Sequence, residues 1–330
     1  MKFFSDHPKV VLLLFLVVGI IAAIGVLATI GLPDIYSVIA ASKLDIILLA
    51  IILQIMSLLM LGVRLIVISR RFGALSFRHA FKISMTGMFV NSITPLARVG
   101  GEPVKALLLR KSFGGSRSSA IIAIDTITEV VSSVIIVAVI FLLYAGRLPA
   151  QLAIYFIIFL VAVLALTAVA WKILTDDRYL GRIIQWVARR MSKTGSEYTP
   201  VFHEAIRHLS KDKVTMTSAI GFSIAAKVFE FARLWLVFLA IGFFLDPSIV
   251  VILWAITLII MLIPWLPGSL GLVEFGAVSA LLLFSIPGSI ATSGIFIDRL
   301  ISFWFVLGFT FLITWVSGVR SISHLKGRDK

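Results

Sequence analysis

Long apolar runs separated by short basic segments dominate this chain. Val10–Ile30 and Leu44–Ser69 come first, the second carrying Arg64 near its end. Ser118–Tyr144, Leu148–Leu174, Val214–Phe244 and Gly294–Val319 are of the same kind. About 20 predominantly apolar residues suffice to cross a bilayer as a helix, so these runs predict six transmembrane helices. They are continuous rather than alternating, which argues against a membrane β-barrel. Two regions break the pattern. Ala80–Thr94 mixes apolar positions with Lys82, Ser84, Thr86, Gly87 and Asn91, stops at Pro95, and is followed by an apolar stretch, Pro103–Leu109, too short to cross alone. Ile249–Ile263 and Leu270–Ile286 are also short and meet at Pro264-Trp-Leu-Pro267-Gly. Each region reads as a re-entrant helical hairpin, at about 80–110 and about 249–286. The expected fold is an all-α polytopic membrane protein with six full spans and two re-entrant hairpins; eight full spans is the rival topology.

Composition and charge extend this reading. The chain has 330 residues, of which 60% are hydrophobic and 14% charged, and a mean hydropathy of +1.10. The absence of cysteine removes disulfides and thiolate chemistry. The formal net charge of +14 raises nucleic acid as a partner. Most Lys and Arg lie in loops beside apolar runs, however, where the positive-inside rule and attraction to anionic headgroups explain them, so no nucleic acid is expected. Basic residues follow the second run (Arg70, Arg71, Arg78) and the first hairpin (Arg110, Lys111, Arg117), and they fill the 175–213 connection and the 320–330 tail. Placing all four regions in the cytoplasm puts both termini inside a cell membrane. It also opens the first hairpin to the cytoplasm and the second to the outside. The result is an inverted-topology repeat, 1–147 followed by 148–319. Val10–Ile30 is too long for a signal-peptide core and reads as a retained span. In the long connection, Leu180, Ile183, Ile184, Val187 and Met191 recur at helical spacing among arginines. That pattern predicts an interfacial helix, which either binds anionic headgroups or rests on the bilayer for packing alone.

Candidate chemistry lies inside the apolar sequence, where charge is costly and is usually functional or paired. The acids are Glu102, Asp125, Glu129, Glu230, Glu274 and Asp298, and the bases are Arg64, Arg98, Lys105, Lys227, Arg233 and Arg299. Two stretches resemble each other: Pro95-Leu-Ala-Arg-Val-Gly-Gly-Glu102 and Pro267-Gly-Ser-Leu-Gly-Leu-Val-Glu274. Each sets a Glu seven residues after a Pro and runs into a Leu triplet. Paired interruptions in two halves of a membrane protein point to a transporter site. Around the first, Asn91 and Thr94 supply hydrogen-bonding groups and Arg98 a planar fork suited to phosphate. Gly100 and Gly101 permit close backbone approach to a ligand, and a helix restarting at Pro103 offers free N–H groups to an anion. The bland alternative is a structural hairpin held by an Arg98–Glu102 pair. Lys227, Glu230 and Arg233 fall on one helical face as a possible stack. Asp125 and Glu129, four residues apart, are either a proton-carrying pair or two carboxylates each paired with a base such as Arg299 or Arg233. Asp298 and Arg299 are neighbours expected to point to different partners. No enzyme motif appears: the five His lie in loops, and no P-loop, Rossmann glycine pattern or nucleophile elbow occurs. No catalytic residue, metal ligand or cofactor is expected.

Asn91-Ser-Ile-Thr-Pro95 with Gly101-Glu102, Lys105, the basic stretch to Arg117, Pro267-Gly-Ser-Leu-Gly271 with Glu274, and Asp298-Arg299 together resemble the flippase-like membrane domain of the lysylphosphatidylglycerol synthase family. The resemblance implies a lipid flippase fold whose relatives move aminoacylated phosphatidylglycerol or are linked to polyprenyl-phosphate sugars. It carries no counterpart of the soluble aminoacyl-transferase domain, so lipid aminoacylation by this chain is not expected. The family's base after the first Glu is Arg-like, and the nearest residue here is Lys105. Together with the charged residues, the resemblance gives the working expectation of a flippase for a phosphate-bearing lipid. Arg98, Lys105 and Arg233 would contact phosphate, Glu102 and Glu274 would orient those bases or bind a cationic headgroup, and Asn91, Thr94 and Arg299 would complete a cleft between the hairpins. Asp125, Glu129, Lys227, Glu230 and Asp298 would serve in coupling or ion pairing. Two other readings are a metal-dependent lipid-modifying enzyme built on Asp125 and Glu129, and a non-transporting partner of a lipid synthase or glycosyltransferase.

Overall fold

In a computed structural model of the chain, the described residues are 37–94, 100–144, 198–261, 269 and 271–326, with scattered positions between 154 and 172. The expected first span, most of the fourth span, the predicted interfacial helix at 178–191, Arg98, both proline breaks (Pro95 and Pro264 to Pro267) and the end of the tail lie outside them. All the described elements are helices. They are α1 (Leu44–Ser69), α2 (Phe77–Ile93), α3 (Gly101–Phe113), α4 (Gly115–Tyr144), α5 (Tyr198–Lys211), α6 (Lys213–Ala240), α7 (Pro247–Met261), α8 (Leu272–Leu283), α9 (Gly288–Arg299) and α10 (Val306–Lys326), with a wide π-helical turn, Leu300–Phe305, joining the last two.

Among the described residues, three helical stretches are long and apolar enough to cross a membrane: Leu44–Ser69, Gly115–Ile140 and Gly288–Val316. α1 matches its expected bounds, and at 26 residues it is 39 Å long by a rise of about 1.5 Å per residue. α6 has the length at 28 residues but carries Lys227, Glu230 and Arg233. α2, α3, α7 and α8 have 17, 13, 15 and 12 residues. Each falls short of the roughly 20 that a full crossing takes. The last span begins earlier than expected, at Gly288 rather than Gly294. Its first turns hold Ser289, Thr292 and Ser293, which read as loop in sequence. Thr292 and Ser293 are in fact buried, and small hydroxyl residues let helices approach closely in a membrane. Asp298 and Arg299 consequently sit in the interior of the span, not near its start. Exposed apolar side chains line α1 at Leu44, Leu48 and Ile52, one helical face that suits lipid rather than water.

The chain packs as two compact units. One comprises 1–58, 85–101 and 227–330; the other comprises 59–84 and 102–226. The core of the second gathers Leu65, Ile68, Ile83, Leu109, Ile121 and Ile124 with one face of α5, namely Phe202, Ala205, Ile206 and Leu209. α5 is thus amphipathic, with Glu204, Arg207, His208 and Lys211 outside. One end of this unit is basic: Arg71 bonds Asp212 at the α5–α6 junction, and Arg117 lies 5.9 Å from the Phe72 ring. The core of the first unit sets Phe238, Leu245, Leu253, Ala277, Leu281 and Ile295 together.

Glycines set how closely helices meet. A Cβ on Gly294 would come 2.5 Å from the Phe238 ring, and one on Gly276 would come 2.3 Å from Ile260. Gly221 on α6 has nothing within 4 Å of that position. Gly294→Ala should therefore lower stability by about 1–3 kcal/mol through overpacking, whereas Gly221→Ala should change it by less than about 1 kcal/mol. Equilibrium unfolding of the two variants in detergent checks this; equal effects would contradict the packing described.

Candidate functional site

The residue that organises the 59–84/102–226 unit is Arg64, buried on α1 at 2% exposure. Its Nε donates to Asp125 Oδ1 at 2.6 Å, its Nη2 to Glu129 Oε2 at 3.0 Å, and its Nη1 to Ser223 Oγ at 2.9 Å. One guanidinium so ties α1 to α4 and α6. The other oxygen of Asp125 accepts from Lys105 Nζ at 3.0 Å. Lys105 Nζ also lies 2.8 Å from Glu102 Oε2 on its own helix. Thr126 Oγ1 donates to that same Glu102 oxygen at 3.3 Å. The resulting chain alternates in sign, Glu102, Lys105, Asp125, Arg64, Glu129. Asp125 and Glu129 thus share Arg64 as a base, and Asp125 has Lys105 as a second. In sequence Arg64 stands among the interior bases but not in the expected site. Burial of its neighbours Leu65 and Ile68 shows it faces the core.

The other unit holds its own cluster. Arg233 Nε donates to Asp298 Oδ1 at 3.0 Å, and its Nη1 to Gln54 Oε1. Ser302 Oγ in the π-helical turn reaches Asp298 Oδ2 at 3.3 Å. Glu230 accepts from Ser57 Oγ and Trp254 Nε1, both at 3.3 Å, and Lys227 Nζ stands 5.5 Å from the Trp254 ring. Lys227 and Glu230 therefore meet at Trp254, while Arg233 turns to Asp298 and Gln54. Arg299 Nε donates to Glu274 Oε1 at 2.7 Å, and its guanidinium lies 4.9 Å from the Phe303 ring. Asp298 and Arg299 do serve different neighbours.

The helix starts explain the two look-alike stretches. At α3, the Gly101 N–H donates to Asn91 Oδ1 at 2.6 Å, and a Cβ on Gly101 would fall 2.0 Å from the Gly87 carbonyl oxygen. The space left by the glycines is filled by the chain itself, Gly87 and Asn91 of α2 against Gly101 and Thr94 just beyond α2 against Gly100, and not held open for a ligand. Thr94 Oγ1 bonds back to the Val90 carbonyl at 2.8 Å. At α8, Gly271 adopts a φ of 82°, the left-handed region that favours glycine. Its N–H donates to Glu274 Oε2 at 2.7 Å. Asn91 and Glu274 each quench a donor that hydrocarbon would leave unsatisfied. Pro103 has no N–H to offer, and Glu102 puts negative charge in the first turn of α3, so that helix start is less open to an anion than its sequence suggests.

Both units share one arrangement: an Arg on a long helix binds an Asp on a later helix through Nε, and a Glu opening a short helix binds a base beside that Asp. All of this is found in an all-helical, multi-pass membrane protein. The profile of the lysylphosphatidylglycerol synthase TM region matches residues 10–309, and the chain belongs to that family. It is similar to a UPF0104 membrane protein of Methanothermobacter thermautotrophicus, 25% identical over 315 residues (89% of this chain, 91% of the relative). It is also similar to UPF0104 membrane protein MJ1595 of Methanocaldococcus jannaschii, 23% identical over 96% of this chain and 97% of the relative. UPF0104 membrane protein PH1989 of Pyrococcus horikoshii is 26% identical over 88% and 92%.

Arg64→Met should destabilise the protein by about 3–5 kcal/mol, because it strips the shared cation from two carboxylates. Arg64→Met combined with Asp125→Leu and Glu129→Leu should regain most of that loss. Equilibrium unfolding in detergent reads both, and a single variant as stable as the parent would rule out the network as drawn.

Proposed function

We propose that this chain moves a phosphate-bearing lipid between the leaflets of a membrane, as a transporter rather than an enzyme. The observation that carries the reading is the pair of buried ion clusters, each beside a short helix that starts within apolar sequence. A helix packed only for stability has no need of Glu102, Lys105 and Asp125 in one line. Charged groups at membrane depth are retained mainly where they act. Lys105, Arg233 and Arg299 are the bases for the lipid phosphate, and Glu102 and Glu274 hold those bases or take a cationic headgroup. The repetition of the Arg–Asp and Glu–base pairing in both units supports an inverted repeat, the architecture that suits alternating access. The acyl chains remain in lipid, and basic loops keep both termini in the cytoplasm of a cell membrane. Family membership supports a lipid-related role, and aminoacylated phosphatidylglycerol and polyprenyl-phosphate sugars are the first substrates to try.

The enzyme reading rests on Asp125 and Glu129 as metal ligands. Arg64 already lies against both and competes with any added cation, so the geometry favours transport. A partner role beside a lipid synthase or glycosyltransferase predicts no exchange by the purified chain.

The test is exchange of fluorescent lipid between leaflets of proteoliposomes, scanned over phosphatidylglycerol, its lysyl ester and a polyprenyl phosphate. The wild type should accelerate exchange of at least one. Lys105→Met, Arg233→Met and Glu274→Gln should each slow it by roughly tenfold or more, the equivalent of about 1.4 kcal/mol in barrier. No acceleration of any lipid by the wild type would refute transport, and three folded variants at the parent rate would refute the site.

A further inference from the structure

A groove of about 530 Å³ opens between α1 and α6 at the basic end of the 59–84/102–226 unit. Its walls are Val63, Ile66 and Val67 on one helix and Val214, Ser218 and Phe222 on the other. Its rim is Arg70 and Arg71, both exposed. Two polar clamps bracket it. At depth, Arg64 bonds Ser223 at 2.9 Å. At the mouth, Arg71 bonds Asp212, which also caps the start of α6 by accepting from Thr215 Oγ1 at 2.7 Å and Thr215 N–H at 3.2 Å. The hydrogen bonds from Arg71 and Thr215 hold the Asp212 carboxyl well below the usual carboxylate range, so it stays ionised and keeps Arg71 at the rim. Arg64 lies five residues before α1 ends at Ser69, so the apolar wall runs about 8 Å along the helix from the rim.

We propose that this groove is a binding site for one anionic phospholipid of the leaflet that faces the basic loops, an acyl chain lying between α1 and α6 and its phosphate on Arg70 and Arg71. Three features select this occupant. The walls are apolar and open sideways at Val214, which is 75% exposed, so a lipid tail fills them at less cost than water. The rim offers two guanidiniums to a phosphate against the single carboxylate of Asp212. Ser218 keeps the middle of the groove narrow in side chain and therefore wide in space. The site shares no residue with the Glu102–Lys105–Asp125 line, and it is a resident lipid site independent of the transport reading.

Native mass spectrometry of the delipidated full chain, with phosphatidylglycerol and phosphatidylcholine of the same acyl composition, tests it. The wild type should retain one phosphatidylglycerol under activation that strips phosphatidylcholine. Arg70→Gln should lower the retained fraction roughly fivefold, the weight of one basic residue against an anionic lipid. Arg70→Lys should keep it. Ser218→Trp, which fills the groove and leaves both arginines, should lower it as far as Arg70→Gln or further. Lys105→Met should leave this lipid in place, which separates the site from a transported substrate. Size-exclusion profiles and thermal midpoints establish that the variants are folded, and Arg70 is exposed enough for its change to be harmless to folding. Equal retention of both lipids, or retention unaffected by both Arg70→Gln and Ser218→Trp, would overturn the proposal. So would displacement of the lipid by millimolar inorganic phosphate together with indifference to Ser218→Trp, since that marks a headgroup site with no groove behind it.

Discussion

Charge inside hydrocarbon must be answered by charge or by hydrogen bonds, and the described part of this protein is arranged around that requirement. Arg64 is the central case. Its fork reaches two carboxylates and a hydroxyl on two other helices, so removing it would leave several partners exposed to low dielectric at once. Asp125 then divides its two oxygens between Arg64 and Lys105, and Lys105 passes the pairing to Glu102. Side-chain electrostatics thereby fix the register of α1, α3, α4 and α6 more tightly than packing of interchangeable Leu, Ile and Val could, since lipid offers no hydrophobic drive for one helix to choose another. In the other unit Arg233 has one carboxylate and one amide instead of two carboxylates. The two clusters therefore repeat a pattern without repeating a charge count.

The helix starts obey the same rule through the backbone. A helix beginning within apolar sequence exposes N–H groups that no water can reach. Before α3 the acceptor is imported, the Asn91 side chain, and Glu102 turns to Lys105. Before α8 the acceptor is the helix's own Glu274, which spends one oxygen on the Gly271 N–H and the other on Arg299. The two Pro-to-Glu stretches look alike as strings because they answer the same backbone problem. They differ in the acceptor, which is Glu274 itself at the Gly271 N–H and Asn91 at the Gly101 N–H.

Much of the fold was legible in sequence. Continuous apolar runs placed α1 to the residue and α4 and α6 to within a few, because a span is defined by length and composition. The short helices flanking each proline break were legible for the same reason. The early start of α9 was not, since Thr292 and Ser293 look like loop residues until their burial is seen. The candidate charges were also legible as a set, because ionisable residues are conspicuous in apolar sequence. Their pairing was not. Arg64 lies 61 residues from Asp125 and Arg233 lies 65 from Asp298, separations that helical periodicity cannot address. The same holds for Lys227, Glu230 and Arg233: spacing puts them on one face of α6, but Trp254 takes the first two and Asp298 with Gln54 the third. Gly100 and Gly101 suggest room for a ligand in sequence, and only the position of Gly87 and Thr94 reveals that the room is occupied by the chain itself.

The ion pairs at Lys105 and Arg299 are compatible with the proposed transport because a phosphodiester and a carboxylate each carry one negative charge. A lipid phosphate arriving at Lys105 can take the place of Glu102 without changing the charge around the lysine. The displaced carboxylate then needs a cation or a proton, since a buried unpaired charge is far costlier than the pair it left. A headgroup that carries an ammonium near its phosphate supplies both partners together: the phosphate goes to the base and the ammonium to the carboxylate. A purely anionic headgroup supplies only the first, and Glu102 would have to be protonated or to find another base. The same reasoning applies to Glu274 and Arg299, with the added cost that Glu274 must keep one oxygen on the Gly271 N–H. On this argument the clusters are not merely tolerated charges awaiting a ligand. They form closed pairings that a zwitterionic headgroup can open by exchange at small net cost, while a neutral lipid has nothing with which to replace either partner.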